Sequence, residues 1–171
     1  MVTKLLANLI SATLQTFWIS NIHVPIKDVI YPYEIGFEEK NLDLCTNNPE
    51  LGNQLLSIGR RMGIKIINGI PEMKNKDATY KAVYGQLGMI TFLPRPMSDS
   101  SRCKLINHEF IHVLQHIKGN LKGVEPLGWQ LPIRALEMYG SIQEAEAYTY
   151  QNNAGKIIYK LKMYERLNKK K

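Results

Sequence analysis

Cysteine is scarce in this chain. It has two, Cys45 and Cys103, far apart and without the close-pair spacing of a zinc ribbon or the even set of a disulfide framework. Both are therefore expected as free thiols, which points to a reducing compartment. Long apolar runs are lacking too. The nearest approach, Leu5 to Ile19, is interrupted by Asn8, Ser11, Gln15 and Thr16, so it is too short and too polar to span a bilayer. A lone Lys4 precedes it and no small-x-small cleavage site follows, which argues against a signal peptide. Internal repeats and low-complexity tracts are missing as well. A cytoplasmic protein without a membrane span is the expectation.

What remains is ordinary globular material, 44% hydrophobic and 22% charged over 171 residues, which suits a single domain over 1–171 with a real core. Leu5, Leu6, Leu9, Ile10, Leu14, Phe17 and Trp18 recur at helical spacing and predict an amphipathic helix over 4–20. The formal charge of +7 is weighted toward the tail 156–171, in Lys156, Lys160, Lys162, Arg166 and Lys169 to Lys171. Without interleaved glycine or a second basic cluster, that tail reads as a solvated helix face with a frayed polar end, and nucleic-acid binding is not expected.

Turn residues make Val24 to Pro49 an irregular connector. Leu51, Leu55, Leu56, Ile58 and Met62 mark a helix that Gly63 ends, and Ile64 to Ile67 is a short β-branched strand closed by Asn68-Gly69. Tyr80 to Tyr84 and Met89 to Leu93 form a predicted hairpin about Gly85-Gln-Leu-Gly88. Ser98 to Ser101 offers N-caps for a helix running to Gly119, Gly123 to Pro132 is loop, and Ala135 to about Glu165 is one long or broken helix.

The chemistry is concentrated in Asn107-His-Glu-Phe-Ile-His-Val-Leu-Gln-His116. Residues four apart share a helix face, so His108 and His112 can offer imidazole nitrogens to one ion at the about 2.0–2.1 Å that zinc requires. Glu109 lies about 100° round from His108 and can approach a metal-activated water without ligating the metal. Zinc brings such a water toward neutral pKa, and the adjacent carboxylate takes its proton as hydroxide attacks a carbonyl. The helix is apolar around most of its circumference, so these polar groups are expected to be buried, which is costly unless they are paired or metal-bound. A third ligand is needed. His116 is rotated about 80° from His108 and reads as a surface or outer-sphere residue. Downstream, Glu144 and Glu146 point about 200° apart on their helix, so only one of the two is expected to face the motif helix.

His108-Glu-Phe-Ile-His112 followed by Glu144-Ala-Glu-Ala-Tyr148 resembles the small gluzincin metallopeptidases. The resemblance spans roughly 80–155 and is specific at the motif positions. It implies an α+β zincin domain: a short sheet with an edge hairpin, packed on the motif helix and a long C-terminal helix. It implies Zn2+ held by His108, His112 and Glu144, with Glu109 as general base. It also implies an edge strand, either Met89 to Leu93 or Val83 to Gly85, lying over the cleft and pairing with an extended peptide or protein substrate. Tyr148 stands where those families carry Asp or Asn to orient a histidine. Tyr148, Tyr139 and Arg134 are candidates for binding substrate or its oxyanion. Two functions follow: a zinc metallopeptidase, or a non-catalytic metal-binding module acting through interactions. Structural zinc has no need of Glu109, which favours the first.

Overall fold

The computed structural model describes residues 43–168. The predicted helix over 4–20, most of the connector and residues 169–171 lie outside them.

Helix α1, Leu51–Met62, buries Leu51, Leu55, Leu56 and Ile58 along one stripe and exposes Arg60 on the other. Gly63 ends it at φ 93°, a left-handed conformation that glycine adopts without a Cβ penalty, and its N–H returns to the Arg60 carbonyl. Three short strands follow: β1 (Lys65–Asn68), β2 (Ala78–Val83) and β3 (Gln86–Phe92). The sheet order is β1-β3-β2, with β1 parallel to β3 and β2 antiparallel to it. The hairpin forms, but its turn is Tyr84-Gly85, and β3 takes in Gln86 to Gly88, where a bend was expected. Its Gly88 could be nothing else, since a Cβ there would lie 1.8 Å from the Lys81 carbonyl oxygen.

Met89 to Leu93 is therefore not an edge. Phe92 pairs with both Asn68 and Ala78, placing β3 at the centre of the sheet. The edges are β1 and β2. Beyond β2, the Gly85 N–H is already bonded to the Leu121 carbonyl at 2.7 Å, so Val83 to Gly85 is tied into the domain at its far end.

The motif helix, α2, runs Asp99–Lys118. Ser98 caps it by accepting from the Ser101 N–H, and Gly119 follows its end. It is the axis of the domain: Ile106, Phe110, Ile111, Val113, Leu114 and Ile117 are all buried. Phe110 closes on α1 where Gly59 leaves room for its ring; a Cβ at Gly59 would meet Phe110 Cζ at 2.6 Å.

The expected long C-terminal helix is three helices: α3 (Ala135–Tyr139), α4 (Ile142–Tyr150) and α5 (Ala154–Asn168). Gly140, at φ 75°, separates the first two, and Ser141 recaps α4 by accepting from the Glu144 N–H at 3.2 Å. α4 and α5 part at Gln151–Asn153. The basic stretch on α5 is not simply solvated. Lys160 is buried, and the ammonium groups of Lys156 and Lys160 stand over the Trp129 ring at 4.6 and 5.8 Å from its centroid.

The thiols expected to be free are joined. Cys45 and Cys103 form a disulfide across 58 residues, pinning the segment before α1 to the start of α2. The compartment inferred from free thiols loses that premise. Among the described residues, no helix is long and apolar enough to cross a membrane. The architecture is mixed α+β, a three-stranded sheet with helices packed about α2.

Candidate metal site

The fourth residue of α4, counting its cap, decides the site. Ser141-x-x-Glu144 spells a capping box, in which the glutamate would reach back to the N-cap N–H. Ser141 makes its half of that exchange, while the Glu144 carboxylate turns instead toward α2. His112 Nε2 stands 3.2 Å from Glu144 Oε1, His108 Nε2 stands 3.6 Å from Glu144 Oε2, and the two imidazole nitrogens are 3.2 Å apart. These three side chains can each offer one ligand atom, all within 4.8 Å of one another.

Those separations fit a cation. Two ligands at zinc-like distances on a tetrahedral centre lie about 3.3 Å apart, close to all three spacings found. Glu144 Oε2 is buried without a hydrogen-bond partner, an acceptor facing the other two donors. The donor set of two imidazoles and one carboxylate is one that zinc takes readily. His108, His112 and Glu144 could thus hold a metal ion.

Electrostatics agree with the geometry. The imidazoles of His108 and His112 hold the Glu144 carboxyl well below the usual carboxylate range. Burial opposes charge on His112, but the carboxylates of Glu144 and Glu109 and the Gln115 side chain outweigh it and raise its pKa above the ordinary imidazole value. Glu109 is 3% exposed, and that burial pushes its carboxyl up, partly offset by His112, His108 and the backbone of Tyr80.

All four residues open on one cavity of about 470 Å³, between α2, α4 and the segment leading into β2. The β2 edge borders it at Ala78, Thr79 and Tyr80. Lys76 sits at its rim, 3.9 Å from Glu144 Oε2 and 5.8 Å from the centre of the Tyr148 ring.

Of the other predicted site residues, Tyr148 lines the cavity, its ring edge-on to His108 at 4.5 Å. Tyr139 stacks behind Tyr148 at 4.4 Å and is not on the cavity wall, and Arg134 is exposed at the start of α3. Glu146 does not face the cavity. It is fully buried and accepts from Gln115 Nε2 and from the backbone N–H groups of Leu127, Gly128 and Trp129. The expectation that only one of the two glutamates faces α2 is corrected: Glu144 reaches His108 and His112, and Glu146 reaches Gln115, three residues beyond His112 on the same helix. His116 is not a surface residue. It is buried, and its Nδ1 shares a 2.7 Å hydrogen bond with the Tyr80 hydroxyl, which also accepts from the Gly88 N–H.

Two contributors went unread. Asn107 donates to the carbonyls of Tyr150 and Gln151, clamping the end of α4 beside His108. Gln115 bonds His112 Nδ1 at 2.8 Å. A signal for the second was present, because residues three apart on a helix are neighbours.

Fold and site together define a small α+β domain with a partly buried His-His-Glu group that could hold a metal. Comparison with known proteins adds no name to that: no protein family, no curated protein and no solved structure matches this chain.

Proposed function

We propose that this protein is a zinc-dependent metallopeptidase that hydrolyses peptide bonds, with His108, His112 and Glu144 as the ligands and Glu109 as general base. The observation that carries the proposal is Glu109 itself: a buried carboxyl on the same cavity wall as the three converging donors, one residue from a ligand and not one of the cluster. A cation held there supplies a Lewis acid that polarises a carbonyl and lowers the pKa of a water. Three protein ligands leave a further position for that chemistry.

The chain's own residues supply the rest. Burial lifts the affinity of Glu109 for a proton, as a general base working near neutral pH needs. A bound cation acts in the opposite direction and keeps it ionised for its task. The edge strand β2 borders the cavity at Ala78 to Tyr80, where an extended peptide could pair alongside it. Tyr148 is the oxyanion candidate on the cavity wall. The rival reading, a non-catalytic metal-binding module, gives no reason for a buried carboxylate beside the first histidine.

The deciding comparison is zinc-loaded wild type against Glu109→Gln, with a mixed peptide library read by mass spectrometry. The variant should keep its zinc and lose hydrolysis by about 10²–10⁴-fold. Equal hydrolysis by the two proteins removes Glu109 as base, and a loaded wild type that cleaves nothing favours the binding module.

A further inference from the structure

Two buried polar side chains, Gln115 and Glu146, are outside the ligand set and off the cavity wall, yet both are wholly removed from solvent. Such groups are expensive to bury, and here every contact they make has a direction. Gln115 Nε2 donates to the Gln143 carbonyl at 3.0 Å and to Glu146 Oε2 at 2.9 Å. Both partners are pure acceptors, so the amide cannot be turned round, and its Oε1 must face His112 Nδ1 at 2.8 Å. An amide oxygen can only accept. His112 Nδ1 therefore carries a hydrogen, and Nε2 is the atom turned toward His108 and Glu144.

Glu146 holds the amide in that orientation, and is itself held. Its Oε2 also accepts from the Leu127 N–H at 2.7 Å, and its Oε1 from the N–H groups of Gly128 and Trp129 at 2.6 and 3.1 Å. Four donors from two segments converge on one carboxylate, so the loop between α2 and α3 is anchored to the residue that aims Gln115.

We infer that Gln115, clamped by Glu146 and the Leu127–Trp129 backbone, is the positioning residue that presents His112 to the metal through Nε2. It fills the orienting role for which gluzincins use the residue where this chain has Tyr148, and it does so from within the motif helix. The inference rests on the metal-site reading above. It adds that the 127–129 loop and the affinity of the site rise and fall together, although no loop residue touches the metal ligands' donor atoms.

The test uses the full chain loaded with zinc, read by nitrogen–proton correlation spectra of the histidine rings and by zinc competition against a chromophoric chelator. In wild type, the His112 Nδ1–H should be resolved and slow to exchange, with Nε2 as the coordinating atom. Gln115→Leu should lose that protected proton and bind zinc about 10–100-fold more weakly, with Glu146→Gln shifted in the same direction. Coordination of His112 through Nδ1 in wild type, or an unchanged affinity in a folded Gln115→Leu, overturns the proposal. If Gln115→Leu does not fold, the wild-type ring spectrum decides alone. A wild type that binds no zinc removes the metal reading and the inference with it, whereas tight wild-type binding with an indifferent Gln115→Leu removes only the relay.

Discussion

His112 Nε2 lies 3.2 Å from Glu144 Oε1 and equally far from His108 Nε2. One imidazole nitrogen is thus shared between a carboxylate and a second ring, with α2 and α4 each supplying one side. Such a cluster needs positive charge at its centre. A cation satisfies it, and so does a proton.

The proton's share predicts a pH dependence for chelator-treated protein. His112 has a raised pKa in the folded state, so its contribution is complete below 6.5 and is lost as pH rises through the folded value. Glu144 has a lowered one, so its contribution is present above 4.5 and is lost as pH falls through the folded value. The pair should stabilise most between those limits. Melting temperatures of chelator-treated wild type and His112→Gln should differ most in that window and converge on the alkaline side. A gap that widens with alkalinity contradicts the ion pair.

The disulfide predicts a second effect. Closing 58 residues between Cys45 and Cys103 restricts the unfolded chain by about 4 kcal/mol on the loop-entropy scale. Reduction, or Cys103→Ser, should lower the urea midpoint accordingly, and the unreduced unfolded protein should leave no thiol for a maleimide to label. An unchanged midpoint on reduction contradicts a structural bridge.

Local signals carried much of this architecture. Ser98 and Gly119 bracket α2, and Gly63 ends α1, because caps act within a turn of the residues that spell them. His108, Glu109 and His112 were legible for the same reason: one helix sets their spacing. What escaped depends on partners distant in sequence. Met89 to Leu93 was an edge candidate through the resemblance alone, and nothing local says that Lys65–Asn68 pairs alongside it. Cys45 and Cys103 have no spacing signature, since their meeting is a product of packing. Glu146 could be set apart from Glu144 only by the loop amides that surround it.

The partly buried Tyr80–His116 contact predicts a third. Tyr80→Phe deletes the 2.7 Å hydrogen bond to His116 Nδ1 and the one accepted from the Gly88 N–H, which should cost about 1–3 kcal/mol in chemical denaturation. Zinc content should be untouched, because neither residue belongs to the ligand cluster. Loss of zinc at unchanged stability would place Tyr80 in the site instead.

The metal site itself is open to one direct measurement. Protein prepared without chelator and dialysed against zinc is assayed for bound metal by elemental analysis, beside His112→Ala and Glu144→Ala. The geometry predicts one ion per wild-type chain and at most weak, readily removed zinc in either variant. A wild type that takes up no zinc, or a His112→Ala protein that holds it as firmly, contradicts a site built from His108, His112 and Glu144.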